Sequence, residues 1–207
     1  MEIEKKSNKI IVKHVLGKKE MYRISEGRNF KTISFFKKTQ ICMGYSSKTE
    51  DNQHIILADY DHVDKQVVID EIDSLQNNFS LPTAYLLTTK EKEENGILIG
   101  NYHIVILSKH KAREVFEMLG YLSIDENFRD SPLRKLSKSW VLRLSEKKGS
   151  GKVKFLELIK GDDKTYEIST AHKKLLTKFF PEIKHPKYLK EDNLKQIRLQ
   201  EYETKGK

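Results

Sequence analysis

Apolar positions in this chain come in short runs whose period changes along the sequence. Between Asn8 and Tyr45, the runs Ile10-Ile11-Val12-Lys13-His14-Val15-Leu16, Met21-Tyr22-Arg23-Ile24 and Thr32-Ile33-Ser34-Phe35-Phe36 are rich in β-branched and aromatic residues. Turn signals at Gly17 and at Glu26-Gly27 separate them, which predicts a small sheet. His54-Ile55-Ile56-Leu57-Ala58 then reads as a buried strand that ends directly in Asp59-Tyr60-Asp61. Beyond it, Val63, Val67, Val68, Ile69, Ile72 and Leu75 recur at helical spacing with Asp64 as N-cap. The pattern there is strand, acidic turn, helix. Ala84-Tyr85-Leu86-Leu87-Thr88 and Tyr102-His103-Ile104-Val105-Ile106-Leu107 read as two further strands joined by a polar turn from Lys90 to Gly96, and a helix follows from Lys109 to Leu119.

After Gly120 the chain passes through Ile124-Asp125 and a loop containing Pro132, and Trp140-Val141-Leu142-Arg143-Leu144 is a strand by composition. The loop Lys147 to Lys152 and the run Val153 to Ile159 complete a predicted hairpin, Thr170 to Phe180 a helix, and a charged helical tail starts at Lys187. Strands mixed with helices and hairpins indicate a sheet packed by helices, of α/β or α+β class. The expected organisation is a β-rich N-terminal module over residues 1–50, a central module over 51–160 that carries the acidic motifs, and a helical C-terminal segment over 161–207.

The length of 207 residues suffices for one ordinary core, or for two modules sharing a cleft. No apolar run approaches the roughly 20 residues of a membrane-spanning helix. Met1 to Lys6 lacks the apolar run of a secretory signal. No membrane partner is therefore expected, and the expected address is cytoplasmic. Cys42 is alone, which excludes an internal disulfide, a four-cysteine zinc knuckle and an iron–sulfur site, so any metal must be held by carboxylates and histidines. A net charge of +9 favours a polyanionic partner through phosphate contacts and counterion release. Most of the cations are Lys rather than Arg, which suits phosphate attraction better than bidentate base reading.

Asp59 and Asp61 are the first candidates for chemistry, because residues two apart on an extended segment project to one face and can meet one cation. Their hard oxygens suit magnesium or manganese. Ordinary turn and cap roles are the alternative. His103 sits in a strand pattern among apolar neighbours, where a packed core side chain is the commoner outcome, and Asp125 fits a helix cap or loop equally well. Arg143 interrupts a strand, and Lys147, Lys148 and Lys152 follow in a Gly-containing loop. They face solvent, or they grip a triphosphate through guanidinium forks and ammonium charges.

In order and spacing these motifs resemble the archaeo-eukaryotic primase superfamily, in particular its primase-polymerases, over about Ile55 to Lys152. The residues that carry the resemblance are Ala58-Asp59-Tyr60-Asp61, Asn101-Tyr102-His103, Ile124-Asp125 and Leu142-Arg143-Leu144-Ser145-Glu146-Lys147-Lys148. Two departures stand out: Ile99 where some relatives have Lys, and Asn101 in place of the commoner Ser. The resemblance implies an α+β fold with an RRM-like, primase-type mixed or antiparallel sheet. It implies that Asp59, Asp61 and Asp125 hold two Mg2+ or Mn2+ ions, and that Asn101, His103 and Arg143, with Lys147 or Lys148, contact an incoming nucleoside triphosphate. The implied activity is template-dependent nucleotidyl transfer in DNA replication, on single-stranded or primed DNA. Helicase and template-handling functions would then come from partner proteins, in a plasmid, virus or archaeon-like host.

Two further readings use the same residues. A catalytically inert nucleic-acid-binding replication protein fits the charge equally well. A toprim-type primase or nuclease also uses a DxD motif with an upstream Glu-Gly, here Glu26-Gly27, but its Glu-Gly opens a helix, whereas Arg28 to Phe36 reads as strand. A His-x-His nickase finds no support, since no two histidines are two apart.

Overall fold

Alternating and continuous apolar runs become strands over most of the chain, and in the computed structural model these assemble into a mixed α+β fold. The structure describes residues 9–15, 18–27, 30–36, 40–134, 138–144, 151–187, 189–192 and 200–204, with side chains described within 44–133, 138–144, 151–187 and 189–192. The chain forms two compact units, residues 1–41 with 203–207, and residues 42–202. In the smaller unit β1 (Lys9–Val15), β2 (Lys18–Gly27) and β3 (Phe30–Phe36) form an antiparallel sheet in chain order. Val15 pairs with Lys18 and Gly27 with Phe30, so Glu26-Gly27 leads from strand to strand rather than into a helix.

The larger unit contains β4 from Cys42 onward (Gln40–Ser46), β5 (His54–Asp64), α1 (Lys65–Phe79), β6 (Ala84–Glu94), β7 (Ile97–His110), α2 (Ala112–Leu119) and the short helices α3 (Glu126–Arg129) and α4 (Ser131–Arg134). It continues with β8 (Val141–Arg143), β9 (Lys154–Ile159), β10 (Glu167–Ile168), α5 (Thr170–Phe179) and β11 (Lys190–Glu191), and β12 (Gln200–Thr204) begins in it. The main sheet runs β11-β10-β7-β6-β9, with β5 also paired to β7. Every pairing in it is antiparallel except β10 with β11. A second sheet runs β12-β4-β8.

Ile55 to Ala58, Ala84 to Leu87 and Ile104 to Leu107 are continuous buried runs rather than alternating ones. A strand reads this way when both of its faces are covered. One covering element is α1, whose Val68, Ile72 and Leu75 lie on one stripe and which packs on β5, β7 and β9. Asp64 caps it as the spacing predicts, accepting from the Gln66 backbone N–H.

Four expectations change. The strand expected to stop at Ala58 runs to Asp64, so Asp59, Tyr60 and Asp61 belong to β5 and not to a turn. The polar turn expected from Lys90 shrinks to Asn95 and Gly96, both at positive φ (53° and 79°), with Glu94 paired to Ile97. An Asn-Gly pair adopts this two-residue turn readily, which lets β6 and β7 extend in register far beyond their apolar segments. The hairpin expected between Trp140–Leu144 and Val153–Ile159 is not formed: β8 pairs with β4, and β9 with β6. Of the helical tail expected from Lys187, Lys190–Glu191 and Gln200–Thr204 are strand, and residues 188, 193–199 and 205–207 lie outside the described residues. No helix among the described residues is long and apolar enough to cross a membrane.

Candidate functional site

Antiparallel pairing puts Asp59 of β5 directly opposite His103 of β7, and Tyr60 opposite Tyr102. Directly opposed residues share a face, so Asp59 and His103 meet on one side and the two tyrosines on the other. His103 Nε2 lies 3.2 Å from Asp59 Oδ1. This is an ion-pair distance between the imidazole and the carboxylate. His103 is 4% exposed, and its Nδ1 has no hydrogen-bond partner among the described residues.

Just beyond this pair the sheet bends. Between Tyr60 and Val63, β5 holds one more residue than β7 does between Tyr102 and Gly100, and β6 holds one more between Thr88 and Lys90 than β7 does between Tyr102 and Asn101. Two β-bulges therefore flank Asn101, one on each neighbouring strand. Such bulges re-aim side chains and concentrate next to functional sites. His62, in the β5 bulge, has φ 57°, a left-handed conformation that a side chain disfavours. Its N–H donates to Asn101 Oδ1 at 2.9 Å, while the Asn101 carbonyl accepts from Thr88 Oγ1 at 3.0 Å. Asn101 thus braces both bulges. Gly100 must lack a side chain, because a Cβ there would lie 2.7 Å from the Lys90 carbonyl and 2.9 Å from Tyr102 Cζ.

Asp61 is exposed at the start of the β5 bulge. Asp125 comes to the same strand from the loop after α2: its N–H donates to the Asp59 carbonyl at 3.4 Å. Its carboxylate Oδ1 accepts from the Asn127 N–H (3.0 Å) and Asn127 Nδ2 (3.2 Å), which is the N-cap of α3. The cap and the approach to Asp59 therefore coexist at one residue.

Arg143 lies half-buried on β8, opposite Gly44, and its Nη1 donates to the Gly151 carbonyl at 3.2 Å. Gly151 is left-handed (φ 69°), and a Cβ on it would meet the carbonyl of Thr89, the bulged residue of β6, at 3.3 Å. Arg143 is linked in this way to the bulged end of the main sheet. Lys147 and Lys148 lie outside the described residues. The structure thus brings Asp59, Asp61, Asn101, His103 and the Asp125 backbone together around one level of β5 and β7, with Arg143 joined to that level through Gly151.

The donor chemistry fits a small hard cation in part. Asp59 keeps 30% of its side chain exposed beside Asp61 and the Asp125 segment. Among the described residues no group of three or more His, Cys, Asp and Glu is gathered as a metal centre. Magnesium is commonly held by one or two carboxylates together with substrate phosphates and water rather than by an all-protein cage.

Sequence reasoning passed over three residues that shape this region. Glu71 of α1 accepts from Tyr60 Oη and from Ser123. His62 and Gly100 are fixed by the bulge. Glu71 sits among many charged residues of a solvated helix and carries no local signal, whereas Gly100 next to a strand is a recognisable sign of close backbone approach. Comparison with family models, with curated proteins and with solved structures finds no match to this chain.

Proposed function

We propose that this chain is a template-dependent nucleotidyltransferase of the primase-polymerase type, with Asp59, Asp61 and Asp125 holding Mg2+ or Mn2+ and with His103, Asn101 and Arg143 facing the phosphates of an incoming nucleotide. One observation carries the reading: a buried imidazole opposed to an acidic strand, with a ring nitrogen that no described group satisfies. A buried polar atom without a partner calls for an explanation, and a ligand oxygen supplies one. The resemblance of the motifs to archaeo-eukaryotic primases supports the same assignment, including an RRM-like or primase-type sheet, as does the excess of positive charge for a nucleic-acid template.

In this reading the divalent ions, when bound, polarise the phosphate under attack and offset charge on the leaving group. The protein's own residues orient. Asp59 stands against His103, Asn101 holds the bulge that aims Asp61, and the basic side chains attract the triphosphate. Little covalent chemistry is asked of the chain, since positioning and electrostatics dominate phosphoryl transfer.

The test is incorporation of labelled nucleotides on a primed single-stranded template with manganese or magnesium. Wild type is expected to extend the primer, and Asp59→Ala and Asp61→Ala to lose about a hundredfold or more while still binding DNA. DNA binding with no turnover in wild type instead identifies an inert replication protein, a reading favoured by the use of the Asp125 carboxylate as a helix cap.

A further inference from the structure

We propose that Glu71 is a positioning residue that sets the spacing between the Asp59–Asp61 strand and the Asp125 loop, an inference that rests on reading these acids as one metal-binding site. The Glu71 carboxylate accepts three hydrogen bonds: from Tyr60 Oη to Oε2 (2.9 Å), from the Ser123 N–H to Oε2 (3.0 Å) and from Ser123 Oγ to Oε1 (2.6 Å). Tyr60 is the residue between the two strand acids, and Ser123 stands two before the third. The Asp125 N–H donates to the Asp59 carbonyl, which closes a ring through Asp59, Tyr60, Glu71, Ser123, Ile124 and back to Asp125.

Each part of the ring is constrained. A carboxylate only accepts, so both hydroxyls and the amide must point at it, and bonds to a charged acceptor are the strong ones. The Tyr60 ring is fully buried, and burial first, then the Glu71 charge and hydrogen bond, push its phenol well above the ordinary range, so it remains a donor. Leu122 and Ile124 are buried on either side of Ser123. Apolar contacts alone would cover that loop; the carboxylate adds register, because its two oxygens hold a strand residue and a loop residue at fixed distance. The effect reaches the acids through the backbone: the Asp59 side chain projects to the face opposite Tyr60, and Asp61 follows Tyr60 directly in the bulge.

Hydrogen exchange at the Asp125 amide and Mn2+ binding by titration calorimetry, each on the full chain, test the proposal in Glu71→Leu, Glu71→Gln, Tyr60→Phe and Ser123→Ala. In Glu71→Leu the Asp125 amide is expected to exchange at least about tenfold faster, with Val68 and Ile72 unchanged. Mn2+ affinity is expected to fall about 10- to 100-fold, as for other residues that orient metal ligands. Glu71→Gln, which keeps an acceptor, should recover part of both losses. Tyr60→Phe and Ser123→Ala each remove one donor with little change of shape, and they carry the same test if Glu71→Leu does not fold. Unchanged Asp125 exchange overturns the ring. Faster exchange with undiminished Mn2+ affinity reduces Glu71 to a structural staple and overturns its positioning role. A wild-type protein that binds no Mn2+ overturns the proposed function, and this role with it, whatever the exchange data show.

Discussion

At its C-terminal end β7 carries Lys109 into a nest of carboxylates, whereas at Asn101 to His103 it carries an amide and an imidazole into a bent, acid-lined corner. Lys109 Nζ lies 3.1 Å from Asp51 Oδ2, 3.1 Å from Asp192 Oδ2 and 3.3 Å from Glu167 Oε2. Burial alone lowers the ammonium's pKa, but the hydrogen bonds and charges of Asp51 and Asp192 outweigh it and leave it above its ordinary value. Neighbouring imidazoles are satisfied as well: His110 Nε2 is 2.8 Å from Ser108 Oγ, and His54 Nδ1 is 2.9 Å from Ser47 Oγ. The other end holds two bulges, a left-handed His62 and an imidazole nitrogen lacking a partner among the described residues. The end with the more densely packed charge is the self-compensated one. Both ends are distorted, for Asn52 (φ 61°) and the register shift between His54 and Ile56 lie beside the nest. The corner differs in that its buried imidazole nitrogen has no partner among the described residues, whereas the buried Asp192 carboxylate is held by Lys109 and the Thr170 N–H.

The largest expected effect tests the compensated side with acid. Burial drives His110 to about 4, against a partial upward pull from Glu114. It also drives His172 of α5 to about 4, despite the Ser46 carbonyl and the charge of Asp192, both of which raise it, with His54 lowering it slightly further. His172 Nε2 faces the Ser46 carbonyl at 2.8 Å and so carries the proton, while Nδ1 accepts from Ser169 Oγ at 2.7 Å. Both rings are neutral in the fold and bind protons near 6.5 when unfolded. Unfolding therefore takes up protons below that value. Their stabilisation is whole above pH 6.5 and drains away as pH falls toward 4, by up to about 3 kcal/mol for each ring. Urea denaturation at a series of pH values measures the slope, and His172→Gln should flatten it. A profile flat between pH 6.5 and 4.5 would remove the claim that this side buries its imidazoles neutral.

A pair of substitutions contrasts the two ends directly. Lys109→Met strips the cation from Asp192, whose side chain is 3% exposed, and from the more exposed Asp51 and Glu167. The expected loss is about 3 kcal/mol, most of it from the buried Asp192 carboxylate, which keeps the Thr170 N–H but loses its cation. Asp59→Asn keeps the side chain's size and removes only its charge at a site that keeps solvent contact, so its stability should stay within about 1 kcal/mol of wild type. Equal losses in the two variants, read from denaturant midpoints, would show that the corner is as structural as the nest.

How much of this could be read beforehand depended on the range of the interactions involved. The Asp64 cap, the α1 stripe and the apolar strands are local patterns and were legible. The continuation of β5 past Ala58 was not, because Asp59-Tyr60-Asp61 is a poor strand sequence that is held extended by β7 across from it. The partners of β8 and β9 were hidden for the same reason: proximity along the chain suggests a hairpin, while the burial of Leu142 against β4 and of Ile159 against β6 chooses otherwise. Of the candidate site, Asp59, Asp61, Asn101, His103 and Asp125 were named from motif order; the structure places the first four on paired stretches of β5 and β7 and brings the Asp125 backbone, with its carboxylate capping α3, to the Asp59 carbonyl. Glu71 and His62 were invisible, since one works through a hydrogen bond to a distant loop and the other through a backbone angle.

The smallest effect decides what Asn101 does. The resemblance gives it a nucleotide contact, and the geometry gives it the His62 N–H. Asn101→Ala should cost about 1 kcal/mol, the worth of one hydrogen bond that also steadies a disfavoured backbone angle. Glycine accepts a left-handed backbone without the Cβ clash, so in the His62→Gly background the same substitution should cost roughly half as much. Equal costs in both backgrounds, measured as a double-mutant cycle, would mean that the amide does not brace the bulge. Triphosphate affinity then separates the two roles: if Asn101 acts by aiming Asp61, the His62→Gly background restores affinity along with stability. If its amide touches the nucleotide, stability recovers and affinity does not, and the corner is then a binding surface in its own right rather than a mount for its acids.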